Sequence, residues 1–168
     1  MVESAIKVDF ESAFKALDAM AEAAKKHLPR SMAVAAGKVF RDEAAARAPQ
    51  GPTSNLREAI YLAFSDSRSV PVDGLVVYSV TWNKIKAPHG HLIEFGHWQT
   101  HATYIGSDGQ WYSDRRRPLA NPKWIPAHPF LRPAYDSMVQ IAMQAAVKRG
   151  RERMAEILAD PTSLEQDE

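Results

Sequence analysis

The chain has 168 residues, of which 45% are hydrophobic and 24% charged, values of an ordinary globular protein large enough to bury a core. Its 21 basic and 20 acidic residues give a formal net charge of +1, so no bulk charge draws it toward nucleic acid or a membrane surface. Because cysteine is absent, disulfides and thiolate sites are excluded. The first residues lack a signal-peptide pattern and no window approaches roughly 20 apolar residues, so we expect a soluble protein.

Residues 9–28 predict a first helix, because their apolar side chains recur at three- and four-residue spacing and therefore share one face. Pro29 is expected to end this helix, since proline lacks the N–H that the next turn requires. Ser31 suits the N-cap of a second helix over residues 31–48. The short link between them predicts two antiparallel helices. The apolar face of the first helix consists of Phe10, Phe14, Leu17, Met20, Ala21, Ala24 and Leu28.

The middle of the chain predicts strands. Residues 74–82 are dense in β-branched and aromatic side chains, and residues 56–64 are predicted to form the neighbouring strand. A short helix is expected around residues 91–96, ended by Gly96 in a left-handed conformation. Residues 98–123 combine aromatic, glycine and basic residues; we interpret them as a projecting β-hairpin, called the flap below.

Three prolines around residue 130 predict a stiff corner before the last helix. Pro126 and Pro129 cannot continue a helix or a strand ladder. Pro133 suits the first turn of a helix, where its missing N–H would have had no partner. We therefore expect Phe130 and Leu131 to point into the core from this corner.

Residues 130–159 predict a long amphipathic helix, with a kink or break where Gly150 lowers the helix propensity. The chain is thus predicted to be one α+β domain at residues 1–160, followed by a disordered tail at residues 161–168. Its small antiparallel sheet would pack against the two N-terminal helices and the long C-terminal helix. The apolar residues of that helix are Ala134, Met138, Ile141, Ala142, Ala145, Met154, Ile157 and Leu158.

One histidine cluster is compatible with a metal-dependent hydrolase. His91 and Glu94 are three residues apart, so a helix would place them on one face, and His97 or His128 would complete the site. However, Gly96 is expected to end the helix before His97, and no zincin spacing is met. We therefore expect no catalytic residue, metal or cofactor, and keep the hydrolase as an alternative. Glu94 itself could be an acid with an altered proton affinity, but we favour the interpretation that it accepts hydrogen bonds from the neighbouring corner or from an arginine.

Two basic clusters could contact phosphates, which leaves a small nucleic-acid-binding protein as another alternative. One is formed by Arg115, Arg116 and Arg117 in the flap, and the second lies between residues 148 and 153. Aromatic residues accompany the flap arginines, and Trp, Tyr and Arg are enriched at protein–protein hot spots. The candidate interface therefore contains those three arginines together with Trp98, Tyr104, Trp111, Tyr112 and Trp124.

Three segments, taken in order and at their spacing, resemble a known family. They are Ala48-Pro49 through Asn55-Leu56-Arg57-Glu58-Ala59-Ile60, then His91-Leu92-Ile93-Glu94-Phe95-Gly96-His97, then Pro126-Ala127-His128-Pro129-Phe130-Leu131-Arg132-Pro133-Ala134. They look like the neck proteins of long-tailed bacteriophages, of the tail-completion, head–tail joining or minor tail type. The resemblance covers residues 31–147.

The resemblance implies a structural protein of the virion neck, assembled in the host cytoplasm and without catalytic activity. Such subunits form rings, which we expect to be hexameric, between head-closure proteins and the tail-terminator or tail-tube proteins. DNA would pass through the channel without sequence-specific contact, and no membrane is involved. The resemblance also implies that each subunit has a packed centre formed by Glu94, Phe95, Gly96, Pro126, Pro129, Phe130, Leu131, Arg132 and Pro133.

Overall fold

The computed structural model of the chain describes residues 10–50, 55–70, 74–109 and 111–160. This part forms an α+β fold, as predicted, with two separate two-stranded antiparallel sheets. Its helices and strands, in chain order, are α1 (Phe10–Arg47), α2 (Asn55–Ala59), β1 (Ile60–Phe64), a 3-10 turn (Asp66–Arg68), β2 (Tyr78–Trp82), α3 (Gly90–Phe95), β3 (His97–Ile105), β4 (Trp111–Ile125) and α4 (Leu131–Ala159).

The prediction of two N-terminal helices is wrong, because α1 runs without a break through Pro29. Beyond the proline, α1 is held against α4: Phe40 stacks on Tyr135 with ring centroids 5.2 Å apart. Further back, Met32 lies against Gly150, where an added Cβ would be 2.9 Å from the sulfur. The two helices are therefore antiparallel. Packing along this face outweighs the roughly 3 kcal/mol that an interior proline costs a helix.

The predicted break at Gly150 is also wrong, since α4 is continuous across it. Gly150 is buried, and its missing side chain leaves the space that Met32 of α1 occupies. The glycine therefore serves close packing of two helices rather than bending one of them. Of the apolar residues predicted to face the core, Ile141, Met154 and Leu158 are exposed.

The first sheet is shorter than predicted. β1 pairs with β2 in an antiparallel register from Ile60 opposite Trp82 to Phe64 opposite Tyr78. The residues immediately before β1 form α2 instead of strand, with Leu56 and Ala59 buried at the three-residue spacing of a helix. β1 has five residues and can pair with only five residues of its neighbour, so β2 is also five residues long and shorter than the predicted strand at 74–82.

The flap is confirmed as a β-hairpin. β3 and β4 pair in an antiparallel manner, and the turn between them contains Gly109 with a φ of 74°. The pairing shifts twice: Gln99 lies opposite Lys123, His101 opposite Pro118 and Ala102 opposite Asp114. β4 therefore carries extra residues that have no partner on β3, which makes the hairpin bulged.

The core lies where the end of α1, α2, β1 and the start of α4 meet. Small alanines allow these backbones to approach closely around the ring of Phe130, which is 0% exposed. The domain limits at residues 1–160 stay a prediction, and the predicted tail at 161–168 lies outside the described residues. None of the helices in the described part has the length and apolar content of a membrane span. The buried core residues are Ala44, Ala48, Leu56, Ala59, Ile60, Ala87, Phe130 and Ala134.

Candidate functional site

The carboxylate of Glu94 caps the last helix from another element. Its Oε2 accepts hydrogen bonds from the backbone N–H groups of Phe130 at 2.8 Å and Leu131 at 3.1 Å, while Oε1 accepts one from Arg132 at 3.5 Å. Phe130 occupies the N-cap position of α4 but has no polar side chain to satisfy these donors. Glu94 is 3% exposed. Its carboxylate supplies the missing cap and also places a negative charge at the positive end of the helix.

Gly96 allows the chain to turn from α3 into the flap. Its φ is 74° and its ψ is 169°, a conformation that glycine adopts far more readily than other residues. A Cβ there would lie 2.8 Å from the ring of Trp124, 2.9 Å from the backbone nitrogen of Ala127 and 2.9 Å from the oxygen of Ile125. Gly96 is therefore required both for its backbone angle and for the close passage of the segment that leads to the corner. The sequence predicted a left-handed helical glycine here. The positive φ agrees with that prediction, but the ψ of 169° lies outside the left-handed helical region, and the close contact was not predicted.

The other predicted residues of the corner divide between core and surface. Phe130 meets Trp82 edge-on, with ring centroids 6.2 Å apart, and Leu131 packs against the same core. Pro133 is half-buried in the first turn of α4, whereas Pro126 and Pro129 are exposed in the extended link before it. The link is attached to α3 by a hydrogen bond of 2.8 Å from the N–H of His128 to the oxygen of Ile93.

Arg132 is the arginine nearest to Glu94, but their contact is marginal. Its Nε lies 3.9 Å from Oε1 of Glu94, and its guanidinium lies 5.0 Å from the ring centroid of Phe95. Both Arg132 and Phe95 have exposed side chains. Because solvent screens such a contact, the backbone donors, and not the arginine, account for the position of Glu94.

The histidines do not gather around Glu94 in the way the hydrolase alternative requires. In the part of the chain that the structure describes, no group of three or more His, Cys, Asp or Glu side chains is arranged to hold a metal ion. His91 is exposed on α3, and His97 begins β3. Burial lowers the pKa of His89, and the nearby His91 lowers it further.

The flap displays large aromatic side chains on its surface. Trp98 and Trp111 are each 62% exposed. Trp98 meets Trp124 edge-on at 5.4 Å between ring centroids, and Tyr104 stacks on Tyr112 at 5.8 Å. The hydroxyl of Tyr112 donates to the carboxylate of Asp108 at 2.5 Å, and this bond raises the pKa of Tyr112. These cross-strand pairs stiffen the hairpin while their outer faces remain accessible.

A cavity of about 660 Å³ separates the flap from α3. Leu92 and Ile93 of α3 line one side, and Trp98, His101 and Trp111 of the flap line the other. The hairpin therefore arches over α3 without packing tightly against it.

The two basic clusters differ in their surroundings. Arg115, Arg116 and Arg117 are exposed in the unpaired bulge of β4. On α4, Arg149 and Arg153 bind Glu156 at 2.8 Å and 2.7 Å. Hydrogen bonds from Arg149 and then Arg153 lower the pKa of Glu156 to about 2. Part of the α4 cluster is thus neutralised, and the flap arginines remain the better candidates for phosphate contact.

Sequence reasoning missed two exposed apolar surfaces on the long helices. The first ten residues of α1, from Phe10 to Ala19, are all exposed. On α4, Met143 and Val147 are exposed beside the face that holds the buried residues. Their sequence signal was present, since apolar residues occur around the whole circumference of α4, but a one-sided helix was assumed.

A family model of phage tail components matches residues 12–96, just over half of the chain. The chain belongs to this family, described as "Bacteriophage HK97-gp10, putative tail-component". It is therefore a structural component of a bacteriophage tail and hence of the virion. The matched region runs from α1 to Gly96 and ends before the flap and the corner. Neither a search of curated proteins nor a search of solved structures gave a match.

Proposed function

We propose that this tail protein is a neck subunit, which forms a hexameric ring around the DNA channel and joins the head to the tail. Membership of the tail-component family supports the virion assignment. The aromatic surface of the flap is the observation that supports the more specific role. The flap projects from the core, and its aromatic rings contact one another across the two strands of the hairpin. A subunit built for assembly is expected to present such a surface to its neighbours.

The chemistry of the flap supports a protein contact. Each Trp or Tyr can bury 150–250 Å² on binding, and such residues dominate interface energetics. Trp98, Trp111 and Trp124 together bring three of the four tryptophans of the chain to this one hairpin. In the proposed neck, the flap contacts an adjacent head-closure, tail-terminator or tail-tube protein. The exposed Arg115, Arg116 and Arg117 face the passing DNA and contact its phosphates without reading sequence.

Loss of the protein from its phage tests the neck role directly. With a nonsense codon in the gene, we expect DNA-filled heads and completed tails to accumulate separately, as counted by negative-stain electron microscopy. Supplying the intact chain from a plasmid should restore joined particles and plaque formation. Joined, infective particles made without the protein would contradict the proposal, as would a protein missing from purified wild-type virions.

The flap contact has its own test in the same complementation system. We expect Trp98→Ala combined with Trp111→Ala to leave the fold intact and to reduce the number of joined particles at least tenfold, because hot-spot truncations cost about 2 kcal/mol or more each. Ile85→Ala is the matched control, since Ile85 is 92% exposed but lies outside the flap. Equal complementation by both variants would show that the flap aromatics make no contact in the neck.

The salt dependence of duplex DNA binding tests the flap arginines. Replacing all three by alanine should reduce the slope of log K against log salt by up to about 0.9 for each lost phosphate contact. An unchanged slope, or no binding by the unaltered chain at low salt, would remove DNA contact from the proposal.

A further inference from the structure

The first part of α1 is an apolar helix face that no described element covers. Phe10, Phe14 and Leu17 are 63%, 64% and 60% exposed. The same face continues through Ala21, Ala24 and Leu28, so the spacing alternates between four and three residues. This is the heptad pattern by which one helix packs along another. We call Phe10, Phe14 and Leu17 the α1 seam.

The α1 seam lies beyond the end of α4, the helix that packs along the rest of α1. α4 runs antiparallel to α1, with Gly150 beside Met32, and its last buried residue is Ile157. No residue between Phe10 and Ala19 is buried or half-buried, which is roughly 15 Å of helix at 1.5 Å per residue. Most helical stability in proteins comes from packing of an apolar face, and these turns of α1 have no such contact within the described part of the chain.

α4 presents an exposed apolar stripe beside the face that packs on α1. Met143, Val147, Met154 and Leu158 are all exposed, and we call them the α4 stripe. The first and third are eleven residues apart, as are the second and fourth, which is close to three helical turns. A groove of about 580 Å³ that includes Met143 and Val147 runs beside the stripe and could accept side chains of a second helix. Methionine adapts well to such a contact.

The charges beside the two surfaces are complementary. Next to the α1 seam, Lys15 is paired with Glu11, which leaves the charge of Asp18. Lys148 and Arg151 line the groove beside the α4 stripe together with Glu152, whose carboxylate lies 3.6 Å from Arg149. Asp18, Lys148 and Arg151 make no ion pair with another described residue. An acidic residue beside one apolar surface and basic residues beside the other favour contact between the two, and disfavour contact of either surface with its own copy.

We propose that the α1 seam of one subunit docks on the α4 stripe of the neighbouring subunit, and this inference rests on the proposed ring. A subunit cannot make the contact with itself. Leu17 lies fifteen residues before Met32, roughly 22 Å along α1, and Val147 lies on the far side of Met32 from the seam. Two different surfaces, joined head to tail, generate a ring when the rotation closes.

The absence of cysteine makes disulfide trapping a clean test. Leu17→Cys is combined with Met143→Cys or with Val147→Cys, and each double variant is supplied to a phage whose own copy carries the nonsense codon. Because a disulfide requires Cα atoms within about 7 Å, a bond between these positions has to join two subunits. After oxidation of purified particles, we expect a non-reducing gel to show multiples of the 18.7 kDa chain up to the full ring.

Ala19→Cys combined with Val147→Cys is the matched control, since Ala19 is exposed on the opposite face of the same helix. It should give monomer only. Dimers from Leu17→Cys alone would show that seams pair with each other, and a band joined to another virion protein would identify a different partner. Either result overturns the inference.

The outcomes also separate this inference from the neck proposal. Joined particles that contain the variant protein but give no multimers with either cysteine pair would contradict the helix contact and leave the neck role standing. Particles that join their heads and tails without the protein would instead contradict the neck role.

Discussion

At the scale of single residues, Glu94 determines how α4 begins. The N-terminus of a helix leaves backbone N–H groups without partners, and Phe130 at the N-cap cannot accept from them. Glu94 reaches these donors from a position 36 residues earlier in the chain, so the contact joins α3 to α4. Glu94, which the sequence also allowed to be an acid with an altered proton affinity, is therefore an acceptor of backbone hydrogen bonds from the corner.

Removal of this carboxylate should destabilise the protein strongly. We expect Glu94→Ala to lower the free energy of unfolding by about 2–4 kcal/mol, because a cap is lost and buried N–H groups are left without an acceptor. Urea unfolding followed by circular dichroism measures the change. Glu58→Ala is the control, since Glu58 is exposed on α2 and should change the value by about 0.5 kcal/mol or less. Equal effects of the two substitutions would contradict the capping role.

Two glycines with the same φ separate backbone strain from steric contact. Gly96 and Gly109 both have a φ of 74°, but an added Cβ at Gly109 meets nothing within 4 Å. Gly109→Ala should therefore cost about 1–2 kcal/mol from the backbone alone. Gly96→Ala adds contacts under 3.0 Å with backbone atoms and should cost clearly more. Thermal unfolding compares the two, and a smaller effect at Gly96 would mean that the corner can move away.

Residue patterns predicted part of this site. The extended corner, the burial of Phe130 and the end of α3 at Gly96 follow from local rules for proline and glycine. The partner of Glu94 could not be determined by spacing, because its hydrogen-bond donors belong to another helix. Local spacing placed His91 and Glu94 on one face, and only the packing of α3 against α4 determines what the carboxylate meets.

At the scale of elements, α1 shows packing overriding a local signal. Pro29 removes one helical hydrogen bond and was expected to divide the helix, yet the residues that follow it pack along α4. Gly150 illustrates the same limit, because its role depends on Met32 of the other helix. A sequence pattern describes one helix at a time, and these two positions are determined by a pair of helices.

Replacing Pro29 should therefore stabilise a helix that is already continuous. We expect Pro29→Ala to raise the free energy of unfolding by about 1–3 kcal/mol, since alanine restores the hydrogen bond and removes the clash. Guanidinium unfolding gives the value, and far-ultraviolet circular dichroism reports the helix content. Ala33→Ser, one turn later in the same helix, is a control that should slightly destabilise it. A destabilising effect of Pro29→Ala would indicate a break in α1 at this residue.

At the scale of the whole molecule, the buried core and the exposed apolar surfaces lie in different parts of the structure. The buried core surrounds Phe130, at one end of the paired helices, whereas the flap, the α1 seam and the α4 stripe are exposed. Hydrophobic periodicity predicted most of the helices and strands but could not assign each apolar residue to the core or to the surface. That assignment depends on which faces the rest of the chain covers, and α4 has apolar residues on more than the covered face.

This separation predicts that the flap can be shortened without loss of folding. Gln99 and Lys123 are opposite one another in the hairpin, so residues 100–122 can be replaced by Asn-Gly, which forms a two-residue hairpin turn. The free energy of unfolding should change by no more than about 1 kcal/mol, because the cavity beneath the flap means that few core contacts are removed. Head–tail joining should nevertheless be lost in the complementation assay. The wild-type chain is the reference for both measurements. A shortened chain that fails to fold would show that the flap belongs to the core. Normal head–tail joining by the shortened chain would show that the flap has no part in assembly.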